Sequence, residues 1–201
     1  MGSERFDNQA ADWDQDPAKV SRAQEVAEAI RRAVPVDPSA RLLEYGAGTG
    51  LVTQFLGDAI GSAVLADNSA GMRAVMEQKI EAGVLRNATV SDLDLEQDAV
   101  PQETFDLIVS AMVLHHIRDL PRVLEGFATM LRPGGHVCLA DLDREDGSFH
   151  DVDFDGHHGF DRGELAQTLE RAGFSQAAVG DCTSIEKAGR TFTVFLATAT
   201  R

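Results

Sequence analysis

The sequence predicts an α/β domain built around a mostly parallel sheet. Stretches with helical spacing of apolar residues alternate with short apolar runs bounded by turn residues from residue 16 to the C-terminus. Hydrophobic residues make up 43% of the 201 residues, enough for one sizeable core. Three glycines within five positions follow the first apolar run, where a ligand approaches the backbone closely in folds of this class.

Five stretches are predicted to be helices. Pro17 stands at a favourable first-turn position of the first stretch, and Ser69 caps the third. Pro133 and two glycines are predicted to end the fourth. The predicted helices cover residues 16–34, 49–60, 69–83, 120–135 and 161–174.

Seven short stretches are predicted to be strands, because they are apolar and are bounded by turn residues. Their alternation with the helices indicates helices on both faces of the sheet. The predicted strands cover residues 40–45, 62–67, 87–92, 105–113, 136–143, 175–182 and 191–200.

Charge and composition exclude several classes of protein. The formal net charge is -15 without a basic stripe, which argues against nucleic-acid binding and against anionic membranes. No apolar stretch has the length of a membrane span, and the N-terminus does not resemble a signal peptide. Cys138 and Cys182 form no disulfide pattern, so we expect a cytoplasmic protein.

Two segments stand apart from the alternation. Residues 1–38 are predicted to form an N-terminal helical lid on a main domain of residues 39–201, with Phe6 and Trp13 either covering the ligand or anchoring the lid. Residues 143–161 are acidic and contain three histidines without a clear period. This segment is interpreted as a substrate-binding loop or, alternatively, as a disordered surface loop.

The glycine turn reads Gly46, Gly48 and Gly50, with Glu44 two residues ahead of it. An NAD-binding turn would need its third glycine at Leu51, and Glu44 would repel a pyrophosphate. A ligand with a positive charge suits this carboxylate better. An NAD-linked oxidoreductase is therefore the weaker alternative.

Two further acids follow the next predicted strands. Asp67 ends the second strand, where a carboxylate accepts hydrogen bonds from a ribose, and Asp92 ends the third, where it can accept from the amine of a base. One such acid alone is an ordinary surface residue. Three acids at successive strand ends beside a glycine turn predict a nucleoside-binding site.

These stretches resemble the ordered motifs of class I S-adenosylmethionine-dependent methyltransferases. "LLEYGAGTG", "VLADNSAGM", "TVSDLDLE", "FDLIVSAMVLHHI" and "LRPGGHVCLADLD" are similar to the first to fifth motifs in order. The resemblance runs from about Arg41 to the C-terminus and is greatest to the small single-domain enzymes that act on small molecules. Tyr45 and Ala47 depart from the commonest residues of the first motif.

The resemblance implies S-adenosylmethionine as the cofactor and a Rossmann-like sheet of seven strands with the last one antiparallel. It assigns the cofactor's amino-acid end to the glycine turn, its ribose to Asp67 and its adenine to Asp92 and Leu93. Ser110 is expected near the methionine moiety. The full set of expected cofactor residues is Glu44, Gly46, Ala47, Gly48, Gly50, Asp67, Asn68, Met72, Asp92, Leu93 and Ser110.

Methyl transfer needs a general base only when the acceptor is protonated at neutral pH, and histidine is the natural candidate. His115 and His116 follow the fourth strand beside the expected methyl group, and His158 lies in the segment 143–161. These three are the predicted catalytic residues, with structural roles as the alternative. His136 is expected to be structural.

A metal site is not predicted, because the acids and histidines of the segment 143–161 match no zinc spacing and the position after the fourth strand is not an aspartate. The predicted activity is methyl transfer to oxygen, nitrogen or carbon of a small molecule. A non-catalytic cofactor-binding or regulatory protein of the same fold is the alternative.

Overall fold

The computed structural model of the chain describes residues 2–150 and 154–201. In the described part of the chain the strands are β1 Arg41–Tyr45, β2 Ser62–Ala66, β3 Ala88–Ser91, β4 Phe105–Ala111, β5 Leu131–Leu142, β6 Ser175–Lys187 and β7 Arg190–Thr200. The helices are α1 Gly2–Gln9, α2 Pro17–Ala33, α3 Leu51–Leu56, α4 Ala70–Glu81, α5 Leu120–Met130 and α6 Arg162–Arg171. Short 3-10 turns cover Ala10–Gln15, Gly57–Ala59 and Leu114–His116.

The seven strands form one sheet in the order β3-β2-β1-β4-β5-β7-β6. Strand β7 runs antiparallel to both neighbours, β5 and β6, and the other six strands are parallel to one another. The predicted fold class is therefore confirmed. Strand order reverses between β1 and β4, so the carboxyl ends of these two strands flank the crevice where open α/β sheets bind ligands.

Two hydrophobic cores lie on the two faces of the sheet. Adjacent residues on each buried strand point to opposite faces, so that Leu42 belongs to one core and Leu43 to the other. Helices α2 and α3 cover the core of Leu42, and helices α5 and α6 cover the core of Leu43. Because both faces are covered, the strands are apolar runs rather than alternating patterns.

Some element ends differ from the sequence prediction. The fourth predicted helix ends at Met130 rather than residue 135, because Leu131 already pairs with Phe105 and begins β5. The second predicted helix is shorter, since α3 ends at Leu56, before Gly57 with a φ of +52°. Sheet pairing and tertiary context override the local pattern at these ends.

The N-terminal residues have two structural roles. Helix α2 contributes Val26, Ala27 and Ile30 to a core, so it is part of the layer beneath the sheet. Residues before α2 lie against the glycine turn and the start of α4. The division of the chain into a lid of residues 1–38 and a main domain remains a prediction.

The described residues of the segment 143–161 fold back onto the sheet. Asp143 receives two hydrogen bonds from Arg162, and the Arg144 amide donates to the Phe160 carbonyl at 2.9 Å. The His157 amide donates to the His115 carbonyl at 2.8 Å. The described residues of this segment therefore fit a folded binding loop better than a disordered surface loop. Positions 151–153 lie outside the described residues.

Within the described part of the chain, no helix combines the length and the apolar character that crossing a membrane requires.

Candidate active site

The glycine turn, residues 46–50, follows the carboxyl end of β1. Its middle residue, Gly48, borders open space. The amides of Gly46 and Ala47 donate to the Ala66 carbonyl at 2.8 and 2.9 Å, which fixes the turn against β2. A β-carbon built on Gly48 would meet no atom within 4 Å. The middle of the turn is thus free to receive a ligand, as the sequence predicted.

Gly46 lies against the segment after β4. A β-carbon there would lie 2.3 Å from Cγ2 of Val113. The structure therefore requires glycine at this position to seat Val113, and the contact of Gly46 with the cofactor remains a prediction. Ser110 on β4 makes a second link, since its hydroxyl donates to the Tyr45 carbonyl at 2.8 Å.

Asp67 ends β2 directly opposite the glycine turn. Its Oδ2 accepts from the Gly48 amide at 2.8 Å, and its Oδ1 accepts from the Ser69 amide at 2.9 Å. Burial raises the pKa of Asp67, and these two hydrogen bonds oppose that rise. A carboxylate held in this way is a pre-aligned acceptor for two hydroxyl groups.

Glu44 is a buried acid at the end of β1. Its Oε2 accepts hydrogen bonds from both the amide, at 3.0 Å, and the hydroxyl of Thr53 on α3. Burial raises the pKa of Glu44 to about 7, although the Thr53 hydrogen bonds and Lys79 lower it. Oε2 thus joins β1 to α3 across the turn, and the cofactor contact of Glu44 remains a prediction.

The remaining expected cofactor residues differ in how far they are exposed to solvent. Asn68 and Asp92 are exposed beside the ends of β2 and β3. Leu93 is half-buried, and Met72 is buried at the start of α4 with its amide donating to Ser69 at 3.2 Å. Asn68, Asp92 and Leu93 are accessible to a nucleoside, whereas Met72 is part of the interior.

His115 forms a buried pair with Asp141. The ring Nδ1 lies 2.7 Å from Oδ1 of Asp141, and the two side chains are 3% and 0% exposed. Asp141 also accepts from the Leu142 amide at 2.7 Å. Because a carboxylate only accepts, Nδ1 carries the proton and Nε2 is the basic nitrogen of the ring.

The pair forms because β4 and β5 end side by side. Ala111 pairs with Ala140, and the Met112 amide donates to the Ala140 carbonyl at 2.8 Å. Met112 then adopts a φ of +61°, which turns the chain sharply at the end of β4. The turn brings His115 over Asp141.

Aromatic rings cover the His115 imidazole. The rings in contact around it form one cluster, the ring cluster, which consists of Phe6, His115, His116, Phe149, His150 and Phe154. His115 lies 4.1 Å from His116, 5.4 Å from His150 and 6.0 Å from Phe154 between ring centroids. Three separate segments of the chain therefore meet at the predicted catalytic histidines.

His158 is not brought to this pair. It is 46% exposed, and its Nδ1 lies 3.3 Å from Oε1 of Glu145, whose side chain is 8% exposed. The His158 ring also lies 6.0 Å from the Phe154 ring between centroids, and a catalytic role for His158 remains a prediction. His136 contacts Thr200 at 3.3 Å within the sheet, as a structural residue does.

The N-terminal segment is attached to the site by two aspartates that sequence reasoning missed. Asp7 accepts from the Ser69 hydroxyl at 2.6 Å and from the Gly71 amide at 2.8 Å, and the Ser69 bond lowers the pKa of Asp7. Asp14 accepts from the Thr49 hydroxyl at 2.5 Å and pairs with Lys79 at 2.7 Å.

Trp13 lies between these two attachments. Its ring is 6.1 Å from Phe6 and carries the Lys19 ammonium 3.7 Å from its centroid. The segment therefore extends from the glycine turn to the ring cluster through Phe6, which lies 5.5 Å from His116.

Asp141 is the main residue that the sequence analysis did not assign to catalysis. The available signal was an acid inside the buried run "HVCLADLD" at the carboxyl end of a strand. Among the described residues, no three histidine, cysteine, aspartate or glutamate side chains are grouped so as to hold a metal ion.

S-adenosylmethionine fits these residues by the chemistry of the donors present. Asp67 has two carboxylate oxygens that would accept from a ribose diol, and the open space at Gly48 would receive the adjoining chain of the ligand. Asp92 and Leu93 lie where an adenine is expected, and no cationic group is needed because the ligand has no phosphate.

Comparisons with known proteins agree with this arrangement. A family model described as "Methyltransferase domain" matches residues 19–179. An uncharacterized methyltransferase of Anoxybacillus flavithermus is 35% identical over 102 residues, which are 50% of this chain and 46% of that one. A hybrid polyketide–nonribosomal peptide synthetase of Aspergillus flavus is 31% identical over 128 residues, 60% of this chain but 3% of the synthetase.

Two solved structures share the fold along almost the whole chain. The N-methyltransferase NodS of Bradyrhizobium japonicum, solved with S-adenosylhomocysteine, matches with a TM-score of 0.74 at 19% identity, covering 99% of this chain and 97% of that one. The protein bound to the Trm112 methyltransferase activator of Haloferax volcanii matches with a TM-score of 0.77 at 19% identity, covering 97% and 96%.

The family match spans most of the chain, and the sheet order, the glycine turn and the acid after β2 are those that the family's fold requires. The chain therefore belongs to the class I S-adenosylmethionine-dependent methyltransferases.

Proposed function

We propose that the chain transfers a methyl group from S-adenosylmethionine to a small-molecule acceptor, with His115 as the general base. The observation that carries this proposal is the buried pair of His115 and Asp141, 2.7 Å apart, on the same sheet edge as the glycine turn and Asp67. A methyltransferase that only binds its cofactor has no need of an aligned base at this place.

The bound cofactor supplies an electrophilic methyl group on a sulfonium. In the proposed reaction a bond forms between the acceptor atom and the methyl carbon, the carbon–sulfur bond breaks, and its electron pair stays on sulfur. Nε2 of His115 takes the acceptor's proton, and Asp141 stabilises the resulting imidazolium through Nδ1–H. Much of the acceleration comes from holding acceptor and methyl group in line.

Water is excluded from the base by the ring cluster. The side chain of His115 is only 3% exposed, so an acceptor reaches it when a ring that covers it, such as Phe149 or Phe154, moves aside. The base is buried, and two segments at the periphery cover it. This arrangement suits a small acceptor better than a macromolecule.

Charge supports the same class of acceptor. A net charge of -15 disfavours nucleic acids, and we propose a cytoplasmic protein acting on small molecules. Similarity to stretches of polyketide synthases is consistent with small-molecule acceptors, although the chain spans only 3–6% of the length of those large relatives.

The test is release of S-adenosylhomocysteine from S-adenosylmethionine in the presence of phenols, enolisable ketones, amines and thiols. We expect turnover with at least one class, and loss of it in His115→Gln whenever the acceptor is protonated at pH 7. An acceptor that is protonated at pH 7 and is methylated equally well by wild type and His115→Gln would remove His115 from the mechanism.

A further inference from the structure

We infer that Tyr45, the single tyrosine of the chain, is a positioning residue for the base of the cofactor. Its hydroxyl holds the stretch 92–94 in place, and this stretch sets a preference for adenine over a base that lacks the exocyclic amine. The inference deepens the proposed function and rests on it, because it concerns the same cofactor. It is drawn from the hydrogen bonds at both ends of the stretch.

Tyr45 lies at a junction of three elements. It is the last residue of β1, directly before the glycine turn, and it is 6% exposed. Its ring packs edge-to-face against Phe127 on α5, with centroids 5.2 Å apart and an interplanar angle of 74°. Its carbonyl accepts the hydrogen bond from Ser110 on β4. The ring and the backbone of Tyr45 are therefore fixed by two different neighbours.

The Tyr45 hydroxyl reaches the chain that follows β3. The Leu95 amide donates to this hydroxyl at 3.0 Å. Leu95 is 1% exposed, so without the hydroxyl its amide would be a buried donor with no acceptor, which is costly. An aliphatic side chain in place of Tyr45 offers no acceptor. The tyrosine that departs from the commonest residue of the first motif thus has a specific partner.

Other contacts make Leu95 a fixed point. Nε of Arg122 donates to the Leu95 carbonyl at 2.8 Å, and Nη2 donates to the Asp98 carbonyl at 3.1 Å. The Leu95 side chain lies against Gly126 on α5, where a β-carbon would stand 3.2 Å from Cδ1 of Leu95. Both backbone groups and the side chain of Leu95 are therefore held by β1 and α5.

The other end of the stretch 92–94 is held from β2. Ser91 is the last residue of β3, and its carbonyl accepts from the Asp67 amide at 3.1 Å. Three residues therefore connect two fixed points, Ser91 and Leu95. One of these points is tied to the acid expected at the ribose, and the other to the residue before the glycine turn.

Asp92 is the residue of this stretch that can distinguish one base from another. It is exposed, and a carboxylate only accepts hydrogen bonds. The exocyclic amine of adenine donates, whereas hypoxanthine has an oxygen at the same position, which a carboxylate repels. A carboxylate that is held in place discriminates more strongly than one that is free to turn away. The hold of Tyr45 on Leu95 therefore affects which base binds.

The experiment measures binding without turnover. The wild type and Tyr45→Phe, which keeps the ring and loses the hydroxyl, are titrated by calorimetry with S-adenosylhomocysteine and with S-inosylhomocysteine, whose base is hypoxanthine. We expect the wild type to bind S-adenosylhomocysteine at least roughly tenfold more tightly than S-inosylhomocysteine. In Tyr45→Phe we expect affinity for S-adenosylhomocysteine to fall roughly five- to tenfold and affinity for S-inosylhomocysteine to change less than about twofold.

Three further variants separate positioning from stability. Phe105→Leu is the control for lost stability, because Phe105 is buried in the same core at the amino-terminal end of β4, and it should keep the preference for adenine. Asp92→Ala should remove the preference. Arg122→Ala releases the Leu95 carbonyl from an exposed side chain, so it should reduce the preference as Tyr45→Phe does.

A second readout follows the hydrogen bond itself. Exchange of the Leu95 amide with deuterium, measured by NMR, should be faster in Tyr45→Phe than in Phe105→Leu, because only the first variant removes the acceptor.

Equal binding of the two ligands by the wild type, or an unchanged preference in folded Tyr45→Phe, would overturn the inference. An equal loss of preference in Phe105→Leu would overturn it too. If Tyr45→Phe does not fold, an unchanged preference in Arg122→Ala decides against the inference. All these outcomes leave the proposed function intact as long as S-adenosylhomocysteine binds. Its failure to bind the folded wild type would instead refute the proposed function.

Discussion

Val113 occupies the space in which a β-carbon on Gly46 would stand, with Cγ2 only 2.3 Å from that position. The contact joins the cofactor turn to the segment that carries His115, two residues further along the chain. The glycine turn and the base are thereby positioned by one packed contact, in addition to the hydrogen bond between Ser110 and Tyr45.

The first prediction concerns this contact. Gly46→Ala should destabilise the protein more than Gly48→Ala, because both residues have positive φ but only the first would meet Val113. We expect a difference of about 1–3 kcal/mol in the free energy of unfolding, the typical cost of overpacking, measured by urea denaturation. Val113→Ala should partly rescue Gly46→Ala, and absence of any rescue would show that the contact does not limit the packing.

The second prediction concerns the buried base. His115→Gln should lower the rate of transfer to a protonated acceptor by roughly 10²–10⁴-fold, the usual contribution of a general base, without changing affinity for S-adenosylhomocysteine. Asp141→Ala, which leaves no acceptor, should also remove the hydrogen-bonded Nδ1–H signal of His115 from the NMR spectrum. His136→Gln is the control, since His136 contacts Thr200 in the sheet. A persistent Nδ1–H signal in Asp141→Ala would contradict the assigned pair.

The third prediction concerns the N-terminal segment. Asp14→Asn should accelerate dissociation of S-adenosylhomocysteine, because it removes the ion pair with Lys79 that holds this segment against the glycine turn. Stopped-flow fluorescence of Trp13 measures the rate, as Trp13 is the single tryptophan of the chain. Asp12→Asn is the matched control, since Asp12 accepts a hydrogen bond from Gln15 on the surface of the same segment. Equal dissociation rates in the two variants would show that the N-terminal segment does not control release of the ligand.

The fourth prediction follows from the pKa of Glu44. In the folded protein burial raises that pKa from 4.5 to about 7, so the folded state holds a proton that the unfolded state releases. The stabilising effect of this proton is complete below pH 4.5 and is lost as pH rises through about 7, by up to about 3 kcal/mol. Glu44→Gln should therefore flatten the dependence of unfolding free energy on pH across this interval.

The control for that measurement is Asp58→Asn, because the Asp58 side chain is 92% exposed. It should follow the pH profile of the wild type. A Glu44→Gln profile as steep as that of the wild type would mean that Glu44 is ionised in the folded protein at every pH tested.

Local sequence patterns predicted those parts of the fold that depend on neighbouring residues in the sequence. The apolar run of β1, the glycine turn and the acid after β2 lie in one stretch from Arg41 to Asp67, and the structure brings them together as expected. The end of α5 was wrong by several residues, because pairing of Leu131 with Phe105 decides it and such pairing is not visible locally.

The sequence indicated the glycine turn and Asp67 as candidate cofactor residues. It did not indicate the partners of His115 or of the N-terminal segment. Asp141 pairs with His115 across 26 positions of the sequence, and Asp7 meets Ser69 across 62. Such contacts depend on how strands and terminal segments are placed in three dimensions. The same holds for Gly46 and Glu44, whose neighbours Val113 and Thr53 determine roles that the motif alone does not indicate.

The measurement that tests the central claim most directly is a calorimetric titration of the purified chain with S-adenosylhomocysteine, repeated with Asp67→Ala. The account predicts micromolar binding that weakens by roughly 1–3 kcal/mol in the variant, since Asp67 would no longer accept the ribose hydroxyls. NAD should not bind. No binding of S-adenosylhomocysteine to a folded sample, or equal binding by Asp67→Ala, would contradict the site described for this chain.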